Sequence, residues 1–186
     1  RPITGKCEIT EAGLHEYVAG LVIVNDYSAR DVQIPQTQFY KGKSFRTFGP
    51  VGPYLCLLER EDMPRLKRLH LTLTVNGQLR QQDSTANLVF GPAETLTELS
   101  GVQDFAPGDL LSTGTPAGCA LSIPSPAALR IASFLGESFR WKMFHKVQSK
   151  RSQYLKPGDV VEARIRSEDG AIDLGVQRNR VVDAPA

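Results

Sequence analysis

The sequence predicts an α+β fold that is predominantly β. Strand patterns outnumber helical ones along its 186 residues. Two of the reversals are turn dipeptides, Asn76-Gly77 and Asp169-Gly170, of the kind that joins antiparallel hairpins. Strands and helices do not alternate regularly, which disfavours a doubly wound parallel sheet.

Taken in order, Leu14, Tyr17 and Val18 share one face of a short helix expected over 11–19. Leu21 to Val24 is a continuous apolar, β-branched run and reads as a buried strand, with another expected over 51–58. Residues 71–75 alternate with period two into Asn76-Gly77 and return through Gln78–Arg80. A helix over 92–101 opens at Pro92 and stops at Gly101. Pro107-Gly108-Asp109 and Pro157-Gly158-Asp159 each suit a type II turn, predicting strands over 109–113 and 159–166. Asp169-Gly170 then reverses the chain into 171–182. Residues 121–151 read as a helical insertion: Pro124 and Pro126 interrupt, 127–135 is helix-like, and Phe139, Trp141, Phe144 and Val147 are interleaved with basic residues. The expectation is that these aromatics pack on the body, rather than that the segment lies on a membrane.

Composition narrows the function. A hydrophobic share of 41% excludes disorder of the whole chain, and the length suits one domain spanning 1–186. Net charge is only +2, so no nucleic-acid partner is expected. No apolar run is long enough for a membrane span. Cys7, Cys56 and Cys119 are far apart without metal-ligand spacing, which fits a reducing, cytoplasmic setting. Gly42-Lys43-Ser44 lacks both the upstream glycine and the following helix of a phosphate loop. His15, His70 and His145 have no evident partner and read as surface or packed residues.

The informative stretch is Val24 to Gln33. A buried strand ends at Asn25-Asp26, and Ser28 is placed to cap a short helix, with Asp31 completing a capping box. Asp31 therefore has a structural role, whereas Asp26 at the mouth of an apolar strand needs a cation. Lys43, Arg30 and a hard metal ion are the candidates.

Four blocks occur in order: Asn25-Asp26-Tyr27-Ser28-Ala29-Arg30-Asp31; Gly42-Lys43-Ser44-Phe45 running through Thr47 to Pro53; Val75-Asn76-Gly77 with Arg80-Gln81; and Pro107-Gly108-Asp109 with Thr113-Gly114-Thr115-Pro116-Ala117-Gly118. Together they resemble the fumarylacetoacetate hydrolase superfamily, which includes acylpyruvate hydrolases, oxaloacetate decarboxylases and isomerases of aromatic catabolism. The resemblance implies a mixed β-roll with a few short helices, a homodimer, and a divalent metal, Mg²⁺ or else Mn²⁺ or Ca²⁺. It implies hydrolysis of a carbon–carbon bond in a 2-oxo or 2,4-dioxo acid. Carried over residue by residue, Asp26 matches a metal ligand. Lys43 matches the catalytic lysine beside the metal, Thr47 a threonine of the same shell, and Gln33 and Thr115 substrate contacts. Arg30 lies in the motif, as a substrate contact or behind the site. The family's Glu-x-Glu ligand pair and its lid, with a catalytic histidine, would fall before Arg1. The expectation is thus the catalytic-domain remainder of a longer enzyme, weak in Mg²⁺ binding and in activity alone. Arg46 stands where many members carry Asp, a change expected to bear on substrate choice or loop packing.

Overall fold

In the computed structural model, which describes residues 1–34, 39–121, 125, 130 and 134–183, the main body is a four-stranded antiparallel sheet. Its order is β4-β3-β5-β6, built from β3 (Leu69–Val75), β4 (Gln78–Ser84), β5 (Val160–Ser167) and β6 (Asp173–Arg180). The expected hairpins are both present. Asn76 (φ +51°) and Gly77 (φ +78°) take the two left-handed positions of a type I′ turn. The second sheet is a two-stranded antiparallel pair, β1 (Gly20–Leu21) with β2 (Cys56–Leu57).

The core follows from the pleat. Ala163 on β5 and Leu174 on β6 pack in one cluster with Leu14, Ile23, Met63, Leu66, Leu96 and Ile172. Leu96 arrives on α3 (Pro92–Ser100), which has Pro92 in its first turn as expected.

Several elements differ from expectation. The helix over 11–19 is one 3₁₀ turn, Leu14–Glu16, because the chain must extend again at Gly20. There the backbone passes so close to Cys56 that a Cβ would lie 2.6 Å from its carbonyl oxygen. The runs 21–24 and 51–58 contribute only β1, β2 and a single bridge, Val24 to Val51. A nine-residue 3₁₀ helix over Arg60–Arg68 was not anticipated; Pro64 hides it, but the reciprocal Glu59–Asp62 capping box announces it.

The two Pro-Gly-Asp turns are alike. Gly108 (φ +99°) and Gly158 (φ +94°) are left-handed, and the aspartate of each accepts from the backbone N–H three residues earlier at 2.8 Å. Only the second launches a strand. Residues 109–113 join no ladder, and Leu110 is left exposed.

Of the expected insertion, most of 127–135 lies outside the described residues. The basic, aromatic stretch is α4 (Glu137–Gln148). Trp141 and Phe144 are half-buried, but Phe139, Met143 and Val147 face outward, so only part of the aromatic set packs on the body. Among the described residues no helix is long and apolar enough to cross a membrane, and Cys7, Cys56 and Cys119 are free thiols.

Candidate functional site

Asp26 lies just past the Val24–Val51 bridge, where the apolar run emerges from the core. One buried side chain fixes this point. Gln177 of β6 donates from Nε2 to the carbonyls of Ile23 (3.3 Å), Pro50 (3.0 Å) and Gly52 (3.0 Å). It thereby ties the end of the 21–24 run and the 50–52 loop to the main sheet. Two of these carbonyls also accept from the backbone, Ile23 from the Gly52 N–H at 3.0 Å and Pro50 from the Asn25 N–H at 3.2 Å, so the amide reinforces a join that the backbone also makes.

Lys43 forms an ion pair with Asp26, as expected for a carboxylate at the mouth of an apolar run. What delivers Lys43 is a close approach of two short helices, α1 (Arg30–Gln33) and α2 (Phe39–Lys43). The Ala29 N–H donates to the Gly42 carbonyl at 2.8 Å, and a Cβ on Gly42 would meet that of Gln33 at 2.6 Å. Only glycine allows this contact. The cap of α1 departs from expectation: Ala29 occupies the cap position without a side-chain bond, and Ser28 Oγ donates instead to the Asp26 carbonyl at 3.2 Å.

Thr47 is exposed and left-handed at φ +70°. That is unusual for a β-branched residue and marks a conformation held by its surroundings. Phe48 beside it packs edge-on against Phe45 and Tyr27, with ring centres 5.6 and 6.4 Å away. Arg46 is exposed on the same loop.

A cleft lies between this loop cluster, the open end of the sheet and the insertion. Its lining includes Asp26, Tyr27, Arg30 and Thr47 from the loop cluster, Arg80 and Gln81 from β4, and His145, Arg151 and Tyr154 from α4 and the turn after it. Thr115 is held at its rim by Gln81, whose Nε2 donates to Thr115 Oγ1 (3.1 Å) and to the Pro116 carbonyl (2.9 Å). Gly118 makes that seating possible, because a Cβ there would fall 2.1 Å from the Arg80 carbonyl oxygen.

Gln33 is placed otherwise than expected. It is buried under Gly42, is not part of the cleft lining, and accepts a hydrogen bond from Arg30. It thus orients Arg30, and it is Arg30 that reaches the cleft. Of the expected site residues, Asp26, Arg30 and Thr47 line the cleft, while Lys43, Thr115 and Gln33 do not: Lys43 joins it only through its pair with Asp26, Thr115 through Gln81, and Gln33 behind Arg30. The lining also holds residues not singled out as site residues, Gln81, Tyr27 and His145 among them. Gln81 and Tyr27 stand inside the recognised blocks, but nothing in a single sequence pairs His145 with Asp26 across 119 positions. Burial pushes the Tyr27 phenol above its ordinary value, partly offset by the neighbouring Asn179 amide.

A divalent metal is only partly provided for. Asp26 offers one carboxylate, already paired with Lys43, and no three His, Cys, Asp or Glu side chains cluster among the described residues. A hard cation prefers a fuller set of oxygen ligands, so these residues alone do not make a metal centre.

A model of the fumarylacetoacetate hydrolase C-terminal domain matches residues 3–182, and the chain belongs to this family. A Burkholderia cenocepacia protein, named only provisionally as a hydrolase, is 42% identical over 131 residues, covering 69% of this chain and 46% of that one. The fumarylacetoacetate hydrolase of Exiguobacterium antarcticum superposes with a TM-score of 0.68 at 28% identity, over 98% of this chain and 55% of its own. The 5-carboxymethyl-2-hydroxymuconate delta-isomerase of Mycobacterium smegmatis gives a TM-score of 0.67 at 26% identity, over 98% and 54%. The chain spans about half the length of the curated relatives it matches.

Proposed function

We propose that this member of the fumarylacetoacetate hydrolase family takes part in hydrolysing a carbon–carbon bond of a 2,4-dioxo acid. The observation that carries the reading is the Asp26–Lys43 pair beside the strained Thr47, at one end of a cleft rich in cations. In the reaction, water adds to the C4 carbonyl and the C3–C4 bond breaks. Its electron pair passes to C3 as the enolate of pyruvate, and the acyl half leaves as a carboxylate. Lys43 is assigned the role of catalytic cation: its ammonium group, paired with the cleft-lining Asp26, would stabilise the charge that develops on the 2-oxo acid. The hydroxyls of Thr47 and Thr115 orient the keto-acid end, and Arg30, steadied by Gln33, adds a second cation. A Mg²⁺ ion belongs to the proposal as a partner of Asp26, but no step is assigned to it, because the described residues complete no site.

Isomerisation through the same enolate is the second reading, favoured by the likeness to a solved delta-isomerase. The test incubates the full chain with 2,4-dioxopentanoate and Mg²⁺, following loss of the diketo absorbance and formation of pyruvate and acetate. Absence of pyruvate, with conversion of a hydroxymuconate-type diene, would replace the hydrolase reading by the isomerase one.

We also propose a homodimer. Tyr40, Leu57, Val89 and Phe90 are large apolar side chains left exposed on one subunit. Light scattering should give twice the subunit mass, and a monomer at high concentration would refute it.

A further inference from the structure

Two consecutive residues of β4, Arg80 and Gln81, both line the cleft. Neighbours on a regular strand point to opposite faces. A β-bulge accounts for the exception. Leu73 of β3 stands opposite Gln81 and Thr74 opposite Leu79, so Arg80 is an extra residue without a partner on β3. Bulges re-aim side chains and are common beside functional sites. The loop that ends at Gly118 meets this bulge closely. A Cβ on Gly118 would fall 2.1 Å from the Arg80 carbonyl oxygen and 3.2 Å from Gln81 Cγ, and Gly118 is left-handed at φ +106°. Bulge and glycine together bring the Gln81 amide against Thr115 and Pro116.

The chemistry of these groups sets which way each hydrogen points. The Pro116 carbonyl can only accept, so the amide atom 2.9 Å from it is Nε2 rather than Oε1. That nitrogen carries two hydrogens and accepts none. One serves Pro116, and the other is directed at Thr115 Oγ1, 3.1 Å away. Cys119 Sγ lies further off, at 3.8 Å. Thr115 therefore accepts through its oxygen, and its own O–H proton must point elsewhere. Thr115 is exposed, so this proton is available to a ligand.

We infer that Gln81 is a positioning residue: it fixes the Thr115 hydroxyl as a hydrogen-bond donor, so that Thr115 binds an oxygen that only accepts, the carboxylate or 2-oxo oxygen of the substrate. This rests on the proposed reading of Thr115 as a contact to the keto-acid end. A hydrogen bond to an ionised acceptor is about twice as strong as one between neutral groups, so the direction of this proton bears on affinity. Without the amide, an unpaired Pro116 carbonyl would compete with the ligand for the same proton.

The test measures binding of 2-oxopentanoate to the full chain by calorimetry, with Mg²⁺ present. This probe lacks the C4 carbonyl and is not cleaved. Gln81→Met keeps the length of the side chain and removes both donors. It should weaken binding about fivefold or more, the order of one hydrogen bond. The same substitution is then placed in two Thr115 variants. In Thr115→Ser, which keeps the hydroxyl, the loss should persist. In Thr115→Val, which has no proton to direct, Gln81→Met should change the affinity by less than about twofold. Gln81→Asn, one methylene short of both acceptors, should repeat the pattern. A residue that merely braces the loop would cost the same in every background, and that result overturns the inference. So does wild-type affinity in Gln81→Met, or no binding of the probe by the wild type. Turnover of 2,4-dioxopentanoate separates the two claims. Binding that depends on Gln81, without formation of pyruvate, sinks the hydrolase reading and leaves the positioning role; pyruvate formation with an unchanged KM in Gln81→Met does the reverse.

Discussion

Lys43 and Asp26 form a half-exposed pair, with 34% and 44% of their side-chain surfaces accessible. Exposed pairs contribute little to stability, about 0–1 kcal/mol, so the proposed chemical role of this one can be tested apart from folding. Lys43→Met should therefore leave the melting temperature within a few degrees of wild type while lowering kcat by about 10²–10³-fold, the range for removing a donor that faces developing charge. Lys43→Arg should not restore the rate, since a guanidinium cannot occupy the place of a compact ammonium between Asp26 and substrate. A Lys43→Met enzyme with normal turnover would end the assignment. Thr47 makes the complementary case. A left-handed backbone costs an L-residue about 1–2 kcal/mol, more for a β-branched one. Asn tolerates that conformation, so Thr47→Asn should stabilise the fold by about 1 kcal/mol in urea titrations and still slow the reaction. Lower stability and full activity would show that Thr47 is neither strained nor functional.

At the scale of elements, what was legible in the sequence was local. The Asn76-Gly77 and Asp169-Gly170 hairpins, the Pro92 helix and the Pro157-Gly158 turn are short-range patterns, and all are present. The blocks around Asp26 and Lys43 likewise carried the family. What misled was apolar runs read as long strands: in Leu21–Val24 only Ile23 is buried, Leu21 alone joins the β1 ladder, and Val24 makes a single bridge. What could not be read was long-range. Gln177 lies 154 positions from Ile23 and 127 from Pro50, yet its amide fixes both. A glutamine on a strand otherwise patterned with charged residues looks like surface. It is instead buried, with 6% of its surface accessible. Gln177→Leu removes a donor serving three carbonyls. It should destabilise the fold by about 0.5–1.5 kcal/mol in urea titrations, the net worth of a hydrogen bond, since the Ile23 and Pro50 carbonyls keep their backbone donors. Because those carbonyls flank Asp26 and the Thr47 loop, activity should also fall at temperatures where the variant is fully folded. An equally stable Gln177→Leu protein would mean that this tie is incidental.

Across the whole molecule, carboxylates pin the ends of the main sheet. Asp83 closes β4 through Asn87 (2.6 Å) and the Ser84 N–H (2.8 Å). Asp159 opens β5 through Asn76 and the Lys156 N–H, both at 2.8 Å. In the β5–β6 turn, Asp169 accepts from Ser167 Oγ (2.6 Å), Arg65 Nε (2.8 Å) and the Ala171 N–H (3.1 Å), and Asp173 pairs with Arg164 at 2.5 Å. Hydrogen bonds to the ionised form hold all four below the ordinary carboxylate value of 3.8, and Asp169, with Ser167 first and Arg65 next among its causes, lies furthest below. The sign of the linkage follows. The unfolded chain takes up protons on these groups before the folded one does, so their contribution is complete above the unfolded value and disappears as pH falls through the folded values. The protein should therefore melt at a nearly constant temperature from pH 7 down to about 5, with respect to these groups, and then lose stability progressively below pH 4. All four side chains are solvent-accessible, so raised salt should weaken the effect without abolishing it. Asp169→Asn isolates the largest contributor. It should melt lower than wild type at pH 7 and show a shallower fall between pH 4 and pH 2, the two curves converging as the acid limit is approached. Parallel curves across that range would mean that Asp169 is equally stabilised in the unfolded chain, and that the sheet ends are held by packing rather than by their carboxylates.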